Sequence, residues 1–356
     1  MFQYLISSIV RVYKKHGLKM LVILGFEYFL LELSRFFPFI VKFFTPRLFA
    51  VSIEPTNACN LRCQICYSQN PETFKARNKG YMDWETYKNC IDELSSLDYP
   101  VSLGLNFGGE SLLHPKFCDM VSYAKSKGIS QISFNTNGML LSENIIKNLV
   151  ENKVSKITIS LDGTKEKHES SRIGSDYDTV EKNILNLKRL RGNSLSPKIF
   201  VNLIEYDQSI EEIDEFINYW INIVDSVAIS SCISENLQIM NTEKFFQGNK
   251  TIKKHYCHWP FYYLSILWNG DVTSCCHEIG GRIFLGNVVK SKIMDIWKSN
   301  KYKEFRREAI TNNFSVSSPC HKCNAWNTEF VSKKLEYNDD IDLEFLKISK
   351  IYKKKN

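Results

Sequence analysis

Cys59-Asn60-Leu61-Arg62-Cys63-Gln64-Ile65-Cys66 comes just after the apolar run Leu48 to Ile53. Three thiols at C-x3-C-x2-C spacing are one short of a closed four-ligand site. Iron–sulfur clusters are held by Cys thiolates, and metal sites with an open position are those that do chemistry. A 4Fe–4S cluster on Cys59, Cys63 and Cys66 would leave one iron free for a substrate or cofactor. The competing readings are three buried structural cysteines, or a zinc site completed by a distant histidine.

Outward from this stretch, short apolar runs recur at Phe49–Ile53, Val101–Phe107, Gln131–Asn135, Lys156–Leu161, Lys198–Ile204 and Ser226–Ser231. Helical periodicity fills Asp83–Leu97, Phe117–Ser126, Glu143–Asn152, Tyr177–Arg191 and Glu211–Ile223. Strands alternating with helices mean parallel βα units. Six of them predict an α/β fold with a partial (β/α)6 TIM-like barrel; an open α/β sheet has the same alternation. In such folds the loops at the C-terminal ends of the strands build the active site. The cysteine triad, Gly108-Gly109-Glu110, Asn135-Thr136-Asn137-Gly138 and Ser160-Leu161-Asp162-Gly163 all fall there.

The chain has 356 residues, 44% of them hydrophobic, and 11 cysteines. It shows no signal-peptide pattern, so clustered cysteines in a reducing, cytoplasmic setting read as metal or cluster ligands rather than disulfides. Residues 1–47 carry seven Lys and Arg against Glu27 and Glu32, a net +5 of the chain's +7. Little charge remains for a nucleic-acid-binding surface, and no nucleic acid is expected as a partner. Residues 17–44 are apolar but interrupted by charge, Gly25 and Pro38, too broken to span a bilayer. They read either as a basic apolar helical segment lying on the cytoplasmic membrane face or as a cap on the main domain. The tail Lys347 to Lys355, with five lysines, reads as a frayed, solvated end. The expected organisation is a helical segment at 1–47, a core at 48–235, a second cysteine region at 250–330 and a charged tail at 331–356.

The core resembles the radical S-adenosylmethionine (radical SAM) superfamily over roughly residues 48–235. Cys59, Cys63 and Cys66 match its cysteine signature, with Ile65 in the apolar position beside the adenine. Gly108, Gly109 and Glu110 look like its Gly-Gly-Glu motif at the methionine amino group. Asn135, Asn137, Ser160 and Asp162 resemble the loops around the ribose and carboxylate, and Arg172 lies where relatives place an arginine near that carboxylate. The resemblance implies a 4Fe–4S cluster, bound S-adenosylmethionine, a 5′-deoxyadenosyl radical that takes a substrate hydrogen, and a low-potential electron donor such as flavodoxin or ferredoxin.

Cys257, Gly270 and Cys275, followed by Cys320 and Cys323, are similar to the auxiliary-cluster region called SPASM, or its shorter relative called twitch. Leu267 to Val272 reads as a hairpin turning at Asn269-Gly270. No cysteine follows Cys323, so one auxiliary 4Fe–4S cluster is expected, on Cys257, Cys275, Cys320 and Cys323; zinc is the alternative. Cys90 and Cys118 read as buried apolar residues and Cys276 as a bystander. Cys232 and Glu205, ending the last two strands, are candidate catalytic groups. The favoured function is oxidation or remodelling of a carbohydrate, polyol or lipid head group. A peptide or protein side-chain maturase, and a non-enzymatic iron–sulfur carrier, are the alternatives.

Overall fold

The computed structural model describes residues 22–23, 25–27, 29–34, 36–66, 68, 77–205, 207–233, 239–240, 251–253, 256–321, 323, 328–330 and 349–353. Its strands are β1 (Ala50–Ile53), β2 (Arg62–Cys63), β3 (Ser102–Gly104), β4 (Gln131–Thr136), β5 (Lys156–Ser160), β6 (Arg172–Ile173), β7 (Lys198–Glu205), β8 (Ser226–Ile233), β9 (Ile239–Met240), β10 (Thr251–Lys253), β11 (Tyr263–Ile266), β12 (Asp271–Thr273), β13 (Gly286–Asn287), β14 (Thr328–Phe330) and β15 (Ser349–Lys353). The helices are α1 (Trp84–Ser95), α2 (Phe117–Ser126), α3 (Glu143–Glu151), α4 (Lys165–Ser171), α5 (Tyr177–Arg191), α6 (Ile210–Trp220), α7 (Ile293–Lys298) and α8 (Asn300–Thr311). Asp83, Ser142, Thr164, Asp176, Ser209 and Ser299 each cap a helix by accepting from a backbone N–H in its first turn.

The main sheet runs β13-β12-β11-β1-β3-β4-β5-β7-β8-β15. From β11 to β8 every neighbour is parallel. The six expected strands are therefore present in order, and β11, from the second cysteine region, is added beside β1. Among the described residues the parallel run does not close on itself by hydrogen bonds: its ends pair antiparallel with β12 and β15. The fold shown is α/β.

Register separates the two faces. Ser160 pairs with Asn202 and Asn202 with Ala228, and directly paired residues share a face. One face carries Ser52, Gly104, Asn135, Thr158, Ser160, Asn202, Ser230 and Cys232, together with Phe200, Ile204 and Ala228. The other carries Ile53, Leu103, Phe134, Ile157, Ile159, Val201, Leu203 and Ile229, all buried in the apolar core. Helix residues such as Ile91 (α1), Val121 (α2), Leu149 (α3) and Ile184 (α5) belong to the same core.

The tail departs from the expected solvated end. Ser349–Lys353 forms β15 against β8, from Ser349↔Ser230 to Lys353↔Ser226, with Tyr352 packed on the core. Lys350 and Lys353 flank Ile351 and Tyr352, and such lysines suit an edge strand, where charge blocks further pairing. The predicted hairpin forms: Gly270 has φ +85°, and its N–H donates to the Leu267 carbonyl at 2.8 Å. Residues between 22 and 36 are helical, followed by a 3-10 turn at Pro38–Lys42. Residues 1–21 of the expected N-terminal segment lie outside the described residues, and among the described residues no helix is long and apolar enough to cross a membrane.

Candidate active site

The cysteine loop is fastened on three sides before any ligand is considered. Thr56 bridges to Tyr81, and Asn57 clasps the returning chain, donating to Asn78 O and accepting from Gly80 N, each at 2.9 Å. Gly109 packs directly on the loop backbone. A Cβ there would stand 2.4 Å from Ala58 O and 2.6 Å from Thr56 O, and Glu110 N donates to Ala58 O at 2.8 Å. The Gly-Gly pair therefore serves close approach of two backbones. On the third side Cys63 pairs with Arg172 in the β2–β6 ladder.

Cys59, Cys63 and Cys66 are half-buried and free. Leu61 N donates toward Cys59 Sγ at 3.5 Å, and Cys66 Sγ lies 2.7 Å from Ser68 Oγ. Burial raises the Cys59 and Cys63 thiols, Cys63 to about 11 despite the nearby Arg172 charge. Loading the site thus releases protons. Among the described residues no three His, Cys, Asp or Glu side chains stand at single-ion spacing. A cluster that takes each thiolate on a different iron tolerates that spread.

A second thiol set lies elsewhere. Cys257, Cys275, Cys320 and Cys323 line one cavity walled by Trp259, Pro260, Phe305 and Phe314. Burial first, and then the charges of Cys257, Cys275 and Cys323, push the Cys320 thiol far up; such thiols ionise when a metal cluster compensates them. His277 N donates to Cys275 Sγ at 3.4 Å. Cys275 is lowered, chiefly by a hydrogen bond from its neighbour Cys276.

Two family models match this chain: the radical SAM superfamily over residues 53–217, and SPASM, an iron–sulfur cluster-binding domain, over residues 257–324. The chain belongs to the radical SAM superfamily and carries a SPASM region. It is an enzyme. It takes S-adenosylmethionine and a 4Fe–4S cluster in its core and an auxiliary cluster in its SPASM region. Over 317 residues, 76% of this chain and 86% of the relative, it is 27% identical to the tungsten-containing aldehyde ferredoxin oxidoreductase cofactor-modifying protein of Pyrococcus furiosus. Some other curated relatives are matched over less than half of their length. In fold it resembles anSMEcpe with bound AdoMet (TM-score 0.61, 18% identity, 74% of this chain and 81% of that one). It also resembles Streptococcus suis SuiB bound to its precursor peptide SuiA (TM-score 0.59, 14% identity, 82% and 72%).

Within this radical SAM core the expected ligand residues fall into two groups. Asn135 is exposed, and Ser160 and Ile65 are half-buried, all open to a ligand. Glu110 is 3% exposed and already occupied. It accepts from Thr136 Oγ1 at 2.8 Å, Asn137 N at 2.7 Å and Leu112 N at 3.2 Å. Burial raises its pKa against these donors. Glu110 therefore ties the Gly-Gly turn to the Asn135–Gly138 turn, and Asn137 extends the tie by donating to Asn60 Oδ1 at 2.8 Å.

Asp162 and Arg172 likewise hold each other. Arg172 donates from Nε to Asp162 Oδ2 at 2.8 Å and from Nη2 to Oδ1 at 3.1 Å; Ser171 Oγ and Ile204 N complete the carboxylate. The pair braces the cysteine loop through Cys63. His168 Nδ1 accepts from Asp162 N, so its proton sits on Nε2 and donates to Ser175 Oγ at 2.8 Å. Burial, aided by Arg172, lowers His168 to about 4.

The two candidate catalytic groups separate. Cys232 shares the polar face with Asn202 and Ser230 and feels the Asp162 charge. Glu205 continues the row Ile199, Val201, Leu203 and lies on the aliphatic face. Strand alternation, which position at a strand end does not reveal, decides this.

The sequence reading missed Glu54. It is fully buried at the end of β1 and accepts from Gly108 N at 3.0 Å and Trp268 N at 3.1 Å. It also pairs with Arg77, which donates to Ile279 O at 2.7 Å. One carboxylate thus joins the Gly-Gly turn to the SPASM hairpin. Its signal was present: a carboxylate ending an apolar strand must find a partner.

Proposed function

We propose that this radical SAM enzyme takes a hydrogen atom from a small polyhydroxylated substrate, of the carbohydrate or polyol class, seated on the polar face of the sheet. That face carries the reading. Thr158, Ser160, Asn202, Ser230 and Asn135 are short hydroxyl and amide side chains, and within this group Ser230 Oγ donates to Asn202 Oδ1 at 2.6 Å. Thr158 Oγ1 is buried without a hydrogen-bond partner among the described residues. Such a surface matches hydroxyl groups, since a buried polar atom left unmatched is costly.

When bound, the core cluster and S-adenosylmethionine supply the one-electron cleavage that yields the 5′-deoxyadenosyl radical. Cys59, Cys63 and Cys66 would hold the cluster, leaving one iron for the cofactor. Asn135 and Ser160 present open polar groups to it, while Glu110, Asp162 and Arg172 keep the surrounding turns in place. Cys232 adds an ionisable side chain at the end of the same face, beside the substrate.

Cys257, Cys275, Cys320 and Cys323 would hold the auxiliary cluster with all four thiolates and leave no open position, which would suit electron transfer. Cys257 precedes the N-terminal end of β11, and β12 carries Cys275 back toward that end. The core cysteines follow the C-terminal end of β1, parallel to β11. The four residues of β1 alone separate the two sets by about 10 Å. A low-potential donor such as flavodoxin or ferredoxin would supply the first electron.

The likeness to SuiB with its precursor peptide supports a second reading, a peptide-modifying enzyme. The test is 5′-deoxyadenosine formation by anaerobically reconstituted protein with C-deuterated polyols or sugars, and with candidate peptides. Deuterium appearing in 5′-deoxyadenosine from a polyol supports the first reading. Transfer from peptides alone replaces it with the second.

A further inference from the structure

Six phenylalanines within 18 residues stand half or more exposed: Phe26 61%, Phe29 58%, Phe36 77%, Phe37 50%, Phe39 58% and Phe43 81%. Phe26, Phe29 and Phe36 follow the exposed Val22 at i+4, i+7 and i+14, a single stripe along the helical residues. The opposite side is the one that packs: Ser34 is buried, Leu31 joins the core, and Glu27 pairs with Arg47. This helix turns its aromatic side outward, the reverse of a helix on a soluble domain. Beyond Pro38 the aromatic surface continues through the 3-10 turn, with edge-to-face contacts at 6.2 Å (Phe37–Phe39) and 6.3 Å (Phe39–Phe43). A contiguous exposed apolar patch of this kind marks an interaction site.

We infer that this face seats the enzyme on an anionic phospholipid surface. Charge selects that occupant. In the sequence, residues 1–47 hold a net +5 of the chain's +7; among the described residues of this segment Arg47 pairs with Glu27, and the exposed Lys42 lies between Phe39 and Phe43 in the chain. Shape agrees: the surface bends at Pro38, so it offers no straight seam for a partner helix, whereas a lipid interface accommodates any contour. Apolar aromatics beside basic residues, without a spanning helix among the described residues, are the features of an in-plane anchor.

The placement also sets orientation. Pro46 O accepts from Trp297 Nε1 at 2.6 Å, and Arg47 stacks on Tyr99 at 5.5 Å. These contacts put the segment at the N-terminal edge of the sheet, opposite the catalytic loops. The substrate opening therefore faces the aqueous phase, and the anchor does not depend on which substrate the polar face takes.

The test is co-sedimentation of the reconstituted full chain with phosphatidylcholine vesicles made with and without phosphatidylglycerol. Binding should be roughly tenfold or more tighter to the anionic vesicles and weaken as salt rises. The variant F26S/F29S/F36S/F39S/F43S should lose it by roughly tenfold or more while keeping iron content and circular dichroism, since these rings are already outside the core. Absence of wild-type binding to anionic vesicles would overturn the inference, as would unchanged binding by the variant. A wild-type dimer that the substitutions convert to monomer, with neither form binding vesicles, would overturn it in favour of a protein interface.

Discussion

Asp162→Ala tests the claim that the Asp162–Arg172 pair is a brace and not a pair of free ligands. Asp162 is 1% exposed and Arg172 7%. The substitution removes the acceptor of Arg172 Nε at 2.8 Å and Nη2 at 3.1 Å, and also strands Ser171 Oγ and Ile204 N. Leaving one partner of a buried ion pair costs about 3–5 kcal/mol, a large share of a typical total of about 5–15 kcal/mol. With a urea slope of about 3 kcal/mol/M, the unfolding midpoint of the cluster-free protein should fall by roughly 1–1.7 M. The double variant D162L/R172M removes both charges and should recover most of the loss, giving a coupling of about 2 kcal/mol or more. Because Arg172 is laddered to Cys63, D162A should also retain less core iron while the SPASM site stays loaded. A loss under about 1 kcal/mol, the scale of an exposed pair, would refute the reasoning. So would a double variant no more stable than D162A.

Gly109→Ala drives a Cβ against two backbone oxygens, at 2.4 Å from Ala58 O and 2.6 Å from Thr56 O. It should cost about 1–3 kcal/mol and weaken S-adenosylmethionine binding by calorimetry. His168 has an ordinary value of 6.5 and is lowered to about 4 when folded. The unfolded chain alone takes up the proton between those pH values, so stability should fall by roughly 3 kcal/mol as pH drops from about 6.5 to about 4. His168→Gln should flatten that part of the denaturation profile. Cys320→Ala should reduce iron from about eight to about four per chain if both clusters are 4Fe–4S, while 5′-deoxyadenosine formation persists; an unchanged iron count refutes the SPASM ligand set. Glu205→Gln should leave 5′-deoxyadenosine formation within roughly twofold of wild type, because Glu205 lies on the aliphatic face; a collapse of activity would restore it as a base.

Features that depend on neighbours in the chain were legible in the order of residues alone. Cys59, Cys63 and Cys66 sit within one loop, and Asn269-Gly270 declares its own turn. The six parallel strands announce themselves through apolar runs of the right length. What escaped depended on distant partners. Glu54 meets groups 23, 54 and 214 residues away, and no local pattern identifies them. Glu110 and Asp162 were recognisable as site residues, but only the geometry shows their oxygens already occupied by Thr136, Asn137 and Arg172. Glu205 was read from its position at a strand end, which does not tell which face it takes. The lysine-rich tail concealed a strand, since charge that suggests solvation also suits a sheet edge.

The placement of β11 beside β1 bears on how the protein is made. Ala50 pairs with Tyr263, so the inner edge of β1 waits for roughly 200 further residues, on the order of 10–40 s of synthesis. Until then a strand with Val51 and Ile53 presents unpaired backbone next to three free thiols. An unpaired edge of this kind invites association with other chains. Excising the SPASM region should therefore yield an insoluble core rather than a simpler enzyme.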